Sequence, residues 1–127
     1  MHLISKIILK LKTAISLNKK SIFLPKNDFC INLLYLLYSE GFILSFYFTN
    51  SKKRIEVFLK TETNGSSILK NIRLISTPSN NHYLKYSHLT KLTNGIGVII
   101  LSTPYGLFTS SSCVKKKIGG IAICHIT

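Results

Sequence analysis

The chain has 127 residues and a net charge of +13, with 17 lysines and arginines against 4 aspartates and glutamates. At 46% hydrophobic residues it is too apolar for a disordered tail, and its length suits one or two small domains. The acids are too few to pair the bases internally, so the excess positive charge must face solvent or a polyanion. Nucleic acid is the leading candidate for that polyanion, and an anionic membrane surface is the second.

The amino-acid usage also carries a signal about the gene. Lysine outnumbers arginine 15 to 2, isoleucine and leucine are abundant, and alanine occurs only at Ala14 and Ala122. Lysine, isoleucine, asparagine, phenylalanine and tyrosine have A/T-rich codons. The composition therefore indicates an A/T-rich gene, such as an organellar one.

The first predicted element is an amphipathic helix from His2 to Leu17. Its apolar residues recur at helical spacing and share one face, at Ile4, Ile7, Ile8, Leu11 and Ile15. Lys6 and Lys10 lie roughly opposite that face. This basic side is either a solvated surface or a surface that faces RNA phosphates.

A strand, a second helix and two further strands follow. They are predicted at Ser21–Leu24, from Asn27 or Asp28 to about Ser39, at Phe42–Phe48 and at Ile55–Lys60, with a turn at Asn50–Lys53. The last of these strands alternates, with Ile55, Val57 and Leu59 on one side and Glu56, Phe58 and Lys60 on the other. Pro25 stops the first strand, and Gly41 suits the end of the helix. The main face of that helix comprises Phe29, Cys30, Leu33, Leu36 and Leu37. The apolar residues outside this face are Ile31, Leu34, Tyr35 and Tyr38, which need cover from the sheet or a partner.

A single membrane span is the rival interpretation of the residues from Phe29 to Phe48. This run contains Glu40 as its only charge. Polar residues interrupt it, and its second half is β-branched and aromatic, which favours a strand. The alternative function is therefore a small basic membrane-associated protein anchored by residues 29–48.

A polar segment from Thr61 to Ser67, with Asn64-Gly65, predicts a domain boundary. We therefore expect an N-terminal α/β domain at 1–62 and a mainly antiparallel β domain with short helices at 66–127. The fold class is α+β, with α-β-α-β-β in the first domain. The predicted strands of the second domain are Ile68–Ile75, which is either a strand or a transition into one, a short strand at His82–Lys85 and a closing strand at Ile121–Ile126. A loop is predicted at Ser76–Asn81. Helical turns are predicted from Ser87 or Thr90 to Asn94-Gly95 and at Ser110–Lys117.

The stretch from Val98 to Thr109 predicts a β-hairpin with a hydroxyl-rich turn. Val98–Leu101 and Leu107–Thr109 are the strands, and Ser102–Gly106 is the turn, with a proline and a glycine that favour it. The hydroxyls of Ser102 and Thr103 can bond to a base edge or a 2′-OH. Tyr105 offers a ring on which an unstacked base can lie. We therefore expect this turn to contact RNA.

Three consecutive lysines, Lys115, Lys116 and Lys117, follow the hairpin and precede Gly119-Gly120. Such a run is commonly a solvated face, but its closeness to the hairpin favours phosphate binding. The glycine pair predicts a tight turn or a close backbone approach.

Neither catalysis nor a cofactor is supported by the sequence. The four acids are scattered, and the serines at 110–112 lack the G-x-S-x-G pattern. Cys30, Cys113 and Cys124 form no C-x-x-C pair, which predicts buried free thiols rather than disulfides or a metal site. Because neighbours on a strand point to opposite faces, Cys124-His125 is a core cysteine beside a surface histidine. We therefore expect no enzyme, no catalytic residue, no metal, no cofactor and no small-molecule substrate.

The chain resembles the bacterial-type family of the eighth small-subunit ribosomal protein, over nearly its whole length. Ser102-Thr103-x-x-Gly106-Leu107-Phe108-Thr109 resembles the family's S-T-S-x-G-[VL]-[MF]-[TS] signature. Further matches at the family's spacing are Gly95-Ile96-Gly97, Gly119-Gly120, Ile123-Cys124, Ser76-x-Pro78, Tyr83, Pro25 and Glu40-Gly41-Phe42-Ile43, with Lys10 and Lys12 where the family has arginines.

This resemblance implies a structural protein that binds the central domain of small-subunit ribosomal RNA, supports assembly and has neighbouring ribosomal proteins as partners. It implies no membrane span. The RNA-binding residues that the residue pattern and the resemblance together suggest are Ser102, Thr103, Pro104, Tyr105, Gly106, Thr109, Ser110, Lys115, Lys116, Lys117, Gly119, Gly120, Tyr83, Lys6, Lys10 and Lys12.

The chain also departs from the family's pattern at several positions. Pro104 replaces the second serine, Ser79 and Asn81 replace a glycine and an arginine, Ile121 replaces a glutamate, and Asp28 replaces a lysine. They leave the hydrophobic pattern intact, so they bear on individual RNA contacts. Such drift fits an organellar ribosome, the mitochondrial one first and the plastid one second.

Overall fold

A computed structural model describes residues 2–49, 53–63, 68–76, 82–92 and 97–126. The elements are α1 (His2–Ser16), β1 (Ser21–Pro25), α2 (Asp28–Ser39), β2 (Ile43–Phe48), β3 (Arg54–Leu59), β4 (Ile72–Leu74), β5 (His82–Leu84), α3 (Tyr86–Leu92), β6 (Val98–Thr103), β7 (Gly106–Thr109), α4 (Ser110–Lys116) and β8 (Gly120–Ile126). Several predicted features lie wholly or mostly outside the described residues, namely the turn at Asn50–Lys53, Asn64-Gly65, the loop at Ser76–Asn81, Asn94-Gly95 and Ile96.

Helix α1 forms as its apolar spacing predicts. The buried residues are Ile7, Ile8, Leu11, Ala14 and Ile15, while Ile4 packs against the same core. Lys6 and Lys10 are exposed. The helix is therefore a core helix with a basic outer side.

The sequence offered two candidates, Asn27 and Asp28, for the N-cap of helix α2. Asn27 is the N-cap, and its Oδ1 accepts a hydrogen bond from the Cys30 backbone N at 2.8 Å. The helix ends before Gly41, whose φ of +80° is one that L side chains rarely adopt. Leu34, which we placed outside the main face, is fully buried, and α2 packs against β7 as well as against β2. Tyr35 and Tyr38 remain more than half exposed.

The first sheet is antiparallel in the order β1-β3-β2. Strand β3 alternates as predicted, with Ile55, Val57 and Leu59 buried in the same core as α1 and α2. The α-β-α-β-β order of the first sixty residues is confirmed. Both helices therefore lie on one face of this sheet.

The apolar run from Phe29 to Phe48 folds as most of α2 followed by β2. A strand that pairs with β3 takes up its second half. Within the described part of the chain, no helix is long and apolar enough to cross a membrane.

The second sheet has the order β4-β8-β6-β7, and β5 also pairs with β8. The hairpin strands extend further than predicted, because Ser102 and Thr103 belong to β6 and Gly106 belongs to β7. The tip is therefore only Pro104 and Tyr105. Strand β4 is confined to Ile72–Leu74, and α3 begins at Tyr86, one residue before our first candidate.

The main hydrophobic core draws residues from both halves of the chain. It contains Ile7, Leu33 and Val57 together with Ile100 and Ile126. A smaller cluster under α3 and α4 contains Leu89, Leu101 and Cys113. The α+β class is confirmed, while the boundary between residues 62 and 66 stays a prediction.

Candidate nucleic-acid interface

The β6–β7 hairpin presents Pro104, Tyr105 and Gly106 to solvent. Thr103 lies opposite Gly106 in the register, and Gly106 has a φ of +124°. A residue with a Cβ is strained at that φ, so glycine suits the end of the turn. The ring of Tyr105 is 76% exposed, which leaves it free to contact a ligand.

The hydroxyl of Thr103 serves the turn itself. Its Oγ1 donates to the Gly106 carbonyl oxygen at 2.8 Å and accepts from the Tyr105 backbone N at 3.2 Å. The residue is only 8% exposed. Thr103 therefore shapes the tip, whereas the neighbouring Ser102 is partly exposed.

Thr109 and Ser110 connect the hairpin to α4 and are both buried. Thr109 is the N-cap of α4, and its Oγ1 accepts from the Ser112 backbone N at 3.3 Å. Satisfying a free amide of the first turn stabilises the helix. This geometry gives Thr109 a structural task at the base of the hairpin.

Gly119 and Gly120 lie where neighbouring backbones approach closely. A Cβ on Gly120 would be 2.6 Å from the Ser102 carbonyl oxygen, and one on Gly119 would be 2.6 Å from the Leu84 carbonyl oxygen. The Cβ on Gly119 would also be 3.2 Å from Oη of Tyr83. The glycine pair therefore lets β5, β8 and β6 come together beside an exposed tyrosine.

One row across the second sheet joins Tyr83 to the hairpin. Tyr83 lies opposite Ile121, Ile121 lies opposite Ser102, and Ser102 lies opposite Leu107. Directly opposed residues have side chains on the same face. The structure thus brings Tyr83 and Ser102 to one face, with Ile121 between them.

The three lysines end α4 and are exposed. Nζ of Lys116 lies 4.0 Å from the centroid of the Phe108 ring, a cation–π contact with β7. Lys117 has a left-handed backbone with φ of 56°. Contacts between α4 and the hairpin therefore place this basic run beside β7.

The lysines of α1 are exposed but do not form one cluster. Lys10 lines a cavity with Phe23 and Arg54, whereas Lys12 lines another with Lys70. Lys10 and Lys12, which we grouped as RNA-binding residues from the sequence, therefore line different cavities.

Two features of the first sheet were missed by sequence reasoning. Phe23 and Tyr47 are 49% and 59% exposed, and Lys53 and Arg54 line a cavity beside Phe23. Strand alternation could have placed Phe23 outward, as it did Phe58. Residue spacing alone does not determine the register that brings the three strands together.

The thiols are buried and free, as predicted. Burial raises the pKa of Cys124 to about 12 and that of Cys30 to about 11, the latter despite the lowering effect of Lys10. Burial also raises the pKa of Cys113. Thiols held in the protonated form are poor nucleophiles.

Comparison with known proteins gives one family. The sequence pattern of the family described as ribosomal protein S8 matches residues 2–127. The small ribosomal subunit protein uS8 of Thermodesulfovibrio yellowstonii is 31% identical over 125 residues, covering 97% of this chain and 95% of the relative. The protein of the same name from Borreliella afzelii is 30% identical over 127 residues, covering 98% and 96%. That from Phytoplasma australiense is 27% identical over 123 residues, covering 97% and 95%.

Proposed function

The chain belongs to the ribosomal protein S8 family, and we propose that its β6–β7 hairpin, the Tyr83 row and the α4 lysines bind the central domain of small-subunit ribosomal RNA. The protein is a structural, non-catalytic component of a small ribosomal subunit, as its relatives are named. Its partners are ribosomal RNA and neighbouring ribosomal proteins. The RNA surface also includes Lys6, Lys10 and Lys12 on α1.

The exposed Tyr105 ring at the hairpin tip is the observation that carries this assignment. It stands 76% exposed on a turn in which the Thr103 hydroxyl bonds to two backbone groups. Ser102 and Tyr83 face the same side of the sheet. Lys115 and Lys117 are exposed cations at the end of α4, which packs against β7 of that hairpin. The hydroxyls and the aromatic ring of the tip can recognise bases and sugars of the RNA, while the flanking lysines bind phosphates and so position the protein on it.

The ribosome that holds this protein is an organellar one, in the mitochondrion or, second, in a plastid. The excess of lysine over arginine, 15 to 2, and the scarcity of alanine support an A/T-rich gene. The departures at Pro104 and Ile121 support an altered RNA partner. The relatives described above are bacterial, which fits an organellar ribosome of bacterial type.

Sedimentation of organellar extract on a sucrose gradient tests this assignment. The chain should travel with the small subunit and leave it as salt rises, because lysine–phosphate contacts release counterions. Sedimentation at the top of the gradient at low salt would contradict the assignment. Separate gradients from mitochondria and plastids decide the compartment.

A further inference from the structure

The first sheet has one face that α1 and α2 leave uncovered. Ile55, Val57 and Leu59 of β3 point into the core, so Arg54, Glu56 and Phe58 point the other way. Phe23 of β1 and Tyr47 of β2 both lie opposite Glu56 in the register. We call the face defined by Phe23, Glu56, Tyr47 and Phe58 the open sheet face.

Aromatic rings dominate the open sheet face. Phe23 is 49% exposed and Tyr47 is 59% exposed, although each lies on a strand of a packed sheet. The rings of Tyr47 and Phe58 meet edge to face, with centroids 5.7 Å apart. Phe58 lies two residues from Glu56 on the same face of β3, and β3 lies between the strands that carry the other two rings. Three rings from three strands therefore form one surface.

Cations border this surface on its β1 side. One cavity of about 450 Å³ is lined by Phe23, Lys10 and Lys19, and a second of about 290 Å³ is lined by Phe23, Lys10, Lys53 and Arg54. Neither lining contains an acid. Glu56 is the one acid on the three strands, and it is partly buried between the rings.

We propose that the open sheet face binds a single-stranded RNA segment, with bases stacked on Phe23 and Tyr47 and the backbone along the Lys10–Arg54 border. Stacking on aromatic rings accepts any base, and a basic groove beside the rings follows the phosphates. The cations at the β1 border match a polyanion better than an apolar protein segment. This inference rests on the proposed RNA-binding function but concerns a surface distant in sequence from the hairpin.

The test uses the full chain and two RNA probes, a fluorescent uridine decamer and a structured helix from the central domain of the small-subunit RNA. Phe23→Leu and Tyr47→Leu keep apolar area and remove the ring. Each should weaken decamer binding by about tenfold, the effect of losing one stacked base. Neither should change affinity for the structured helix. Leu44→Ala is the matched control, since Leu44 on β2 is also 59% exposed but carries no ring. Thermal unfolding of each variant verifies that it folds.

The outcomes separate this inference from the proposed function. If the wild-type chain binds the structured helix but not the decamer, the open sheet face has no RNA role while the hairpin keeps its own. If the leucine variants bind the decamer as tightly as the wild type does, stacking is excluded. Failure to bind either RNA overturns both proposals. In assembled subunits, a photo-crosslinker at position 23 should attach to RNA, and attachment to a protein instead would assign the face to a protein partner.

Discussion

The hydroxyl of Thr103 donates a hydrogen bond to the Gly106 carbonyl oxygen across the hairpin tip, at 2.8 Å. Oγ1 of Thr103 also accepts a hydrogen bond from the Tyr105 backbone N–H at 3.2 Å. One side chain therefore satisfies two backbone groups of a two-residue tip whose next residue has a φ of +124°. Thr103, which the sequence suggested as an RNA-contacting residue, thus stabilises the tip of the β6–β7 hairpin.

Replacing Thr103 with valine should lower the free energy of unfolding by about 1 kcal/mol, the net worth of a buried hydrogen bond. Valine keeps the shape of the side chain and removes the hydroxyl, so both turn bonds are lost. Urea unfolding followed by circular dichroism measures the change. Thr63→Val, at an exposed threonine, is the control and should leave the free energy unchanged. Equal stability of the two variants would show that the Thr103 hydroxyl does not hold the turn.

Replacing Tyr105 with alanine should leave stability unchanged and weaken RNA binding. The ring is 76% exposed, so its loss should leave the melting temperature unchanged. If a base stacks on the ring, affinity for the cognate RNA helix should fall by about 1–3 kcal/mol. Fluorescence anisotropy with that helix and with a plain duplex of equal length measures the preference. An unchanged preference would move recognition to Tyr83 and the lysines.

Lys117 offers a substitution whose effects on stability and binding have opposite signs. Its φ of 56° costs an L side chain about 1 kcal/mol, which glycine avoids. Lys117→Gly should therefore raise the free energy of unfolding by about that amount. If Lys117 contacts phosphate, the log–log salt slope of RNA binding should shrink by roughly 1.

Lys115→Ala is the companion variant, because Lys115 lies in the last turn of α4 with an ordinary helical backbone. It should reduce the salt slope without raising stability. A salt slope that neither substitution alters, measured by affinity at several salt concentrations, would exclude phosphate contact for both lysines.

A substitution at Gly120 tests whether the close approach of β8 to β6 is required for stability. A Cβ there would be 2.6 Å from the Ser102 carbonyl oxygen and 2.9 Å from Cγ2 of Thr103. Because the first of these is backbone, the strands must separate, and Gly120→Ala should cost about 1–3 kcal/mol of stability. RNA affinity should fall with it, since Ser102 and Thr103 shift. Ile121→Val, one residue further along β8, is a control without that clash. Unfolding free energies of the two variants decide whether the approach matters.

The sequence predicted local elements well because their signals are local. The spacing of Ile7, Leu11 and Ile15 predicted the buried face of α1, and alternation at Ile55 and Val57 predicted that of β3. The choice between Asn27 and Asp28 as N-cap needed the backbone, because both side chains can accept the same amide. Elements whose identity depends on residues within one turn of each other are thus accessible from sequence.

The features that could not be predicted from the sequence depend on pairing between strands that are far apart along the chain. The two-residue tip arises from the register that places Thr103 opposite Gly106. Phe23 and Tyr47 meet across Glu56 only because β3 lies between β1 and β2. Leu34 is buried in a helix that packs against β2 of the first sheet and β7 of the second. Strand order and register are tertiary outcomes, so the open sheet face could not be recognised from residue spacing.

The buried thiols predict a loss of stability in alkaline solution. Burial raises the pKa of Cys124 from its ordinary value of 9.0 to about 12, so the folded state retains a proton that the unfolded state releases. The stabilisation is complete below pH 9.0 and is lost as the pH rises from there toward 12. By pH 10.5 the loss should reach about 2 kcal/mol, at 1.36 kcal/mol per unit between the unfolded pKa and the pH.

Comparison with Cys124→Ala isolates this contribution, because every other ionisable group is the same in the two proteins. The variant should be less stable at pH 7, since alanine leaves a cavity, but its stability should fall less between pH 9 and pH 10.5. The gap between the two proteins therefore narrows as the pH rises. Urea unfolding at three pH values measures it, and parallel curves would show that Cys124 ionises equally well in the folded and unfolded chains.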